Sequence, residues 1–148
     1  MNRDGRNMPE PMKVTVNLKE GMTFEARDAR NHVVAIDTVP EKGGKDTGTR
    51  PTELLLMALG SCTSMDVMSI LRKKRAPVQG LEVQVEGERA EAHPGHFVKV
   101  KVTYIVKGPV EAADIERAIE LSRTKYCPVM YTVEKAGAQM TTEYKIVP

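Results

Sequence analysis

Met12, Val14, Val16 and Leu18 alternate with Lys13, Thr15 and Asn17, a period of two that predicts a strand with one wet face. Gly21 turns the chain into a second strand around Met22–Arg27, and Asn31-His32 turns it into a third over Val33–Val39. Three short strands in succession predict an antiparallel meander. The same rhythm returns later, where Leu81, Val83 and Val85 alternate with Glu82, Gln84 and Glu86. Val98, Val100, Val102, Tyr104 and Val106 then alternate with Lys99, Lys101 and Thr103. Glu91–Gly95 becomes a hairpin loop, and opposed Glu and Lys on the wet faces favour that pairing. A last strand, Ala138–Ile146, is expected to turn Met140, Tyr144 and Ile146 inward.

Between these strands the period changes. Pro40–Arg50, with Gly43, Gly44 and Gly48, reads as a flexible surface loop. Pro51 to about Arg75 reads as one helix: Pro51 suits a first turn, Glu53 complements its positive end, Arg72-Lys73-Lys74-Arg75 its negative end, and Pro77 stops it. Such a helix is about 37 Å long at 1.5 Å per residue. Its first half, Leu54-Leu55-Leu56-Met57-Ala58-Leu59, is apolar on every side, so it must be covered on every side. One two-layer domain covers only one side, and a second subunit is expected to cover the other. Glu111–Lys125 forms a further helix with Ala112, Ile115, Ile119 and Ser122 on one face; Cys127-Pro128 interrupts it, and a short helix, Val129–Lys135, follows. The order is βββ-α-ββ-α-(α)-β, an α+β fold of antiparallel sheets around a long central helix.

The chain of 148 residues is read as a single domain, 1–148, with 1–11 a loose polar arm. Aromatic residues make up 4% and there is no Trp, so the core is aliphatic, with nine Met as adaptable filler. A net charge of +2 does not suggest nucleic acid, and the basic cluster reads better as a helix end. No signal peptide stands at the N-terminus, and no apolar run reaches the roughly 18 residues of a membrane span, so a cytoplasmic, reducing location is expected. There two cysteines read as reactive or buried rather than as a permanent staple.

Cys62 lies in Gly60-Ser61-Cys62-Thr63-Ser64, a run of small residues in an otherwise bulky helix that admits another backbone, side chain or ligand close to the sulfur. A plain buried cysteine at a tight helix crossing fits the same spacing. Cys127 shifts the balance: it stands at the helix break, suiting an attacking and resolving pair, and Arg123 and Lys125 before it could lower a thiol pKa. Zinc is the obvious rival, with His32, His93 and His96 as the available histidines, but His93-Pro94-Gly95-His96 occupies a hairpin loop far in sequence from both cysteines, and neither cysteine has a close ligand partner. Zinc is therefore the weaker reading of the two cysteines. A serine elbow and a phosphate-binding glycine loop are both lacking.

With these elements in place, the sequence resembles the OsmC/Ohr family of thiol peroxidases, in its OsmC-like branch. The resemblance runs from about Met12 and is densest at Arg50-Pro51-Thr52-Glu53-Leu54-Leu55-Leu56-Met57-Ala58-Leu59-Gly60-Ser61-Cys62 and at Leu121-Ser122-Arg123-Thr124-Lys125-Tyr126-Cys127-Pro128-Val129. It implies an intertwined homodimer, with Cys62 as the peroxidatic thiol, Cys127 as the resolving thiol, a peroxide substrate, a cellular dithiol reductant and no need of a metal or cofactor. One departure stands out. Family members carry a Glu directly after the Pro, paired with an activating Arg; here Thr52 holds that place and Glu53 follows. Nine residues of straight helix turn about 900° and rise about 13.5 Å, so Glu53 cannot touch its own Cys62. Any role for it needs a bend or action across the dimer, and a simple helix-start charge fits as well. Arg27, Arg30 and Arg50 remain candidates for the activating cation, Arg50 being preferred for its nearness to the helix start. The alternative function is a non-catalytic module holding a lipid-like or other small ligand.

Overall fold

The computed structural model describes residues 10–148, so the arm expected over 1–11 lies almost wholly outside the described residues. The chain groups into two compact units, Met1–Leu54 and Leu55–Pro148. In the first, β1 (Val14–Glu20), β2 (Thr23–Asp28) and β3 (Val33–Ile36) form the expected antiparallel meander, with Val16 opposite Ala26 and Phe24 opposite Ile36. The stretch Pro40–Arg50 is not the loose loop that its glycines suggested. Asp37, 1% exposed, accepts hydrogen bonds from the backbone N–H groups of Thr38, Lys45 and Thr47 and from the hydroxyls of Thr23 and Thr47. The Thr47 hydroxyl first, and then the backbone N–H groups of Thr38, Thr47 and Lys45, hold the carboxyl well below its usual pKa range. Gly44 serves close packing rather than mobility: a Cβ there would lie 1.9 Å from the Thr38 carbonyl oxygen.

Helix α1 (Pro51–Lys73) starts where the sequence places it. Glu53, its third residue, accepts from the backbone N–H of Arg50 at 3.1 Å, the return half of a capping box. At its far end Arg75 adopts φ 57°, Arg75 N donates to Arg72 O, and Ala76 N donates to Leu71 O. That is a Schellman closure made with arginine where glycine is usual. The apolar run is longer than the sequence reading allowed: α1 has 23 residues, and its best window has a mean hydropathy of 1.7, enough by length and composition to cross a bilayer. Small residues, Gly60 to Ser64, interrupt the apolar run without interrupting the helix. One stripe, Leu59, Gly60, Thr63, Val67 and Leu71, is buried in the protein.

In the second unit, β4 (Gly80–Arg89) pairs antiparallel with β5 (Phe97–Lys107), placing Val85 opposite Val102 and Glu88 opposite Lys99, whose charges lie 3.1 Å apart. The third strand, β6 (Gln139–Val147), runs parallel to β5, with Val100 beside Met140. This corrects the expectation of antiparallel sheets throughout. A parallel neighbour needs a long crossover, and α2 (Ala112–Leu121), a π-helical turn over Ser122–Tyr126 and α3 (Pro128–Lys135) supply it. Val100, Val102, Tyr104 and Val106 of β5, Leu59, Val67 and Leu71 of α1, and Ile115, Ala118 and Met130 form a core almost closed to solvent. Two inward assignments fail. Ile146 is 43% exposed at the end of its strand, and Ala112, in the first turn of α2, is exposed while Ala118 takes the buried place.

Candidate functional site

Gly60 lets β4 press against α1, since a Cβ there would lie 2.9 Å from Cγ2 of Val85. The gap in the helix is thus filled on one side by Val85. Two residues on, Cys62 is half-buried. On the next turn Asp66 lies four residues after Cys62, which places it on the same face of the helix.

Cys127 reaches this face from the crossover. The helix that begins as α2 widens at its end: Cys127 N donates to Ser122 O at 2.8 Å, a five-residue step in place of four. Cys127 then takes an extended conformation, φ −81° and ψ 101°, as a residue before proline prefers. Its sulfur caps α3 by accepting from Met130 N at 3.3 Å. The thiol is 3% exposed, and burial pushes its pKa up from 9.0 to about 11, with Met130 N–H pulling it partly back and the Cys62 thiol adding to the rise. The expected help from Arg123 and Lys125 is therefore overridden. Arg123 is committed elsewhere, to Glu134 at 2.9 Å and to the Met140 carbonyl oxygen.

The Sγ atoms of Cys62 and Cys127 and a carboxylate oxygen of Asp66 all lie within 4.8 Å of one another. The two cysteines thus meet, as expected, and Asp66 joins them. Its placement is governed by buried hydroxyls. Tyr104 OH lies 2.6 Å from Thr63 Oγ1, which lies 2.8 Å from Ser122 Oγ, which donates to Asp66 Oδ2 at 2.9 Å. Each hydroxyl has one proton. Because Ser122 gives its proton to Asp66, Thr63 must donate to Ser122 and Tyr104 to Thr63. The chain is polarised toward the carboxylate. Burial is the main cause of the rise of the Tyr104 pKa to about 12, which keeps the first donor protonated. Beside Asp66 a cavity of about 350 Å³ opens, lined by Ile70, Leu121, Tyr126 and Lys73 among others.

The three candidate activating arginines are all engaged in the first unit. Arg27 pairs with Glu25 at 2.7 Å, Arg30 with Asp28 at 3.2 Å, and Arg50 with Glu53. Arg50 and Glu53 therefore meet each other at the start of α1, and the pairing lowers the Glu53 pKa from 4.5 to about 2. His32, His93 and His96 are exposed, and His32 leans on Asp28 at 2.9 Å. Asp66, Thr63, Ser122 and Tyr104 escaped the sequence reading. Asp66 alone had a usable signal there, its spacing of four from Cys62.

Residues 43–143 match the model of the OsmC-like protein family, and the chain belongs to it. It is 36% identical to Protein YhfA of Escherichia coli K12 over 137 residues, 92% of this chain and 98% of that one. It is similar in structure to a hypothetical protein from Aquifex aeolicus VF5, with a TM-score of 0.82, 30% identity and coverage of 94% of this chain and 98% of that one. An organic hydroperoxide resistance protein, OsmC, from Legionella pneumophila shares the fold at a TM-score of 0.70 and 11% identity, covering 94% and 99% of the two chains.

Proposed function

We propose that this chain is a cytoplasmic thiol peroxidase of the oxidative-stress response, working as an intertwined homodimer. The observation that carries the reading is the meeting of a half-exposed and a buried thiol, no more than 4.8 Å apart, from two separate elements. The Cys62 thiolate attacks the terminal peroxide oxygen, the O–O bond breaks, and the departing alkoxide takes up a proton and leaves as an alcohol. Cys62 is left as a sulfenic acid. Cys127 displaces its hydroxyl as water, forming the disulfide, and two thiols of an external dithiol reduce the pair by exchange. Arg50, oriented by Glu53, serves in this reading as the activating cation, delivered across the dimer.

Several observations favour the dimer. Leu55, Met57 and Met65 of α1 are 44%, 55% and 72% exposed, and Val14, Val16 and Leu18 form an uncovered apolar face on β1. These Leu and Met side chains also favour organic hydroperoxides over hydrogen peroxide as substrates. The test is dithiol-dependent consumption of an alkyl hydroperoxide. Cys62→Ser abolishes it while the protein still elutes as a folded dimer; equal turnover by wild type and variant refutes the reading.

The alternative, a module that holds a small ligand without catalysis, gains one observation. Each of the three arginines expected to serve the thiol is already paired with a carboxylate. It predicts a co-purified ligand and no sulfenic acid after peroxide treatment.

A further inference from the structure

The redox reading employs both sulfurs and leaves Asp66 without a task, although three buried hydroxyls are spent on aiming it. We propose that Cys62, Asp66 and Cys127 form a binding site for a thiophilic divalent cation of the zinc class, which occupies the reduced protein in competition with disulfide formation. Two thiolates and one carboxylate match the ligands zinc takes, and three protein ligands leave a fourth position for water or another group. This supplies the close partner whose lack counted against zinc in the sequence.

The geometry suits an ion better than a bond. Two sulfurs at about 2.3 Å from a tetrahedral ion stand about 3.8 Å apart. From a separation of at most 4.8 Å, binding therefore draws them together by no more than about 1 Å. A disulfide requires about 2.05 Å, a closure of up to about 2.8 Å from the same limit. The Ser122 hydrogen bond fixes one carboxylate oxygen, and the ordered chain behind it plays the part that outer-shell partners play around metal ligands. Asp66 also lines the neighbouring cavity, so its carboxyl group stands at the edge of open space. Binding is balanced by proton release: a dication replaces the thiol protons of Cys62 and Cys127, while Asp66 enters as a carboxylate. The inference rests on the redox reading only for one consequence, that a filled site has no free thiol to meet peroxide.

The experiment uses the reduced full-length protein and Co²⁺, followed by thiolate-to-cobalt charge-transfer absorption and by proton release. One Co²⁺ per chain, with the charge-transfer band, is expected, and Zn²⁺ should displace it. Cys62→Ser and Cys127→Ser should each abolish the band. Ser122→Ala, which leaves all three ligands in place, should weaken binding about 10- to 100-fold. Wild-type protein oxidised to its disulfide should bind no ion, a control independent of how the variants fold. No band with the reduced wild type overturns the proposal, as does a band that survives both serine variants. Metal-free turnover of an alkyl hydroperoxide is measured alongside. Turnover without ion binding removes only the ion site, and ion binding without turnover removes only the redox reading.

Discussion

The two three-stranded sheets of this protein were written in the same alternating code and ended in opposite surroundings. Every residue of β1 is exposed, and none in the first sheet is fully buried. In β5, by contrast, Val100, Val102, Tyr104 and Val106 are at most 1% exposed. A period of two says that one face of a strand seeks cover; it does not say that the same chain supplies it. The second unit covers its sheet with α1, α2 and α3. The first displays Val14, Val16 and Leu18, which is why the dimer belongs to the proposal.

The sharpest way to break this comparison is a pair of truncations. Leu71→Ala, in the closed core, should cost about 2–5 kcal/mol in denaturant unfolding, the range for a buried leucine. Val16→Ala should cost well under about 1 kcal/mol if its face stays wet, and several-fold more if a partner covers it. Comparing that cost at low and high protein concentration settles which holds, since only a covered face makes it depend on concentration.

A second test exploits charge. Cys127 and Tyr104 of the second unit have pKa values raised from 9.0 and 10.0 to about 11 and about 12. Groups held protonated by the fold contribute stability that is complete below pH 9 and is lost as pH climbs from 9 to 12. For Cys127 alone the loss is on the order of 3 kcal/mol. In the first unit Asp37 and Glu53 are lowered, so its contribution is present above pH 4.5 and fades on acidification. Amide exchange across the pH range should show the β4–β6 sheet loosening first in alkali and the Asp37 loop first in acid. The opposite order would refute the assignment.

The raised Cys127 pKa also sets the pH profile of the redox cycle. Closure of the disulfide by a thiol titrating near 11 should accelerate up to about tenfold per pH unit between 7 and 10. Rapid-mixing measurements of sulfenic acid decay would read this, and a flat profile would exclude attack by Cys127. The smallest effect expected is at the end of α1. Arg75→Gly relieves a left-handed residue and should raise stability by about 0.5–1 kcal/mol in thermal unfolding, where an unchanged midpoint would count against strain there.

Much of the frame was legible in the sequence. Element order, the long helix with its basic close, the break at Cys127-Pro128 and the meeting of the two cysteines all followed from periodicity, capping and the family resemblance. What escaped depended on contacts between distant parts of the chain. The parallel course of β6 is decided by where the crossover lands, and the ordered Pro40–Arg50 loop depends on Asp37, which carries no special mark among polar neighbours. Thr63, Ser122 and Tyr104 lie on three elements, and nothing in their spacing announces that they touch.

That contact has a consequence of its own. Three hydroxyls with one proton each can be ordered head to tail in only two senses, toward Asp66 or away from it. While the carboxylate is charged, only the first sense is favourable; a neutral carboxylic acid permits the second. The row therefore carries the charge on the Asp66 carboxyl as a direction, readable at the far end as the sense of the Tyr104 O–H bond. Hydroxyl protons this well shielded should exchange slowly enough with water to be seen by NMR, where a reversal of the row would register as a change of shift at three sites together.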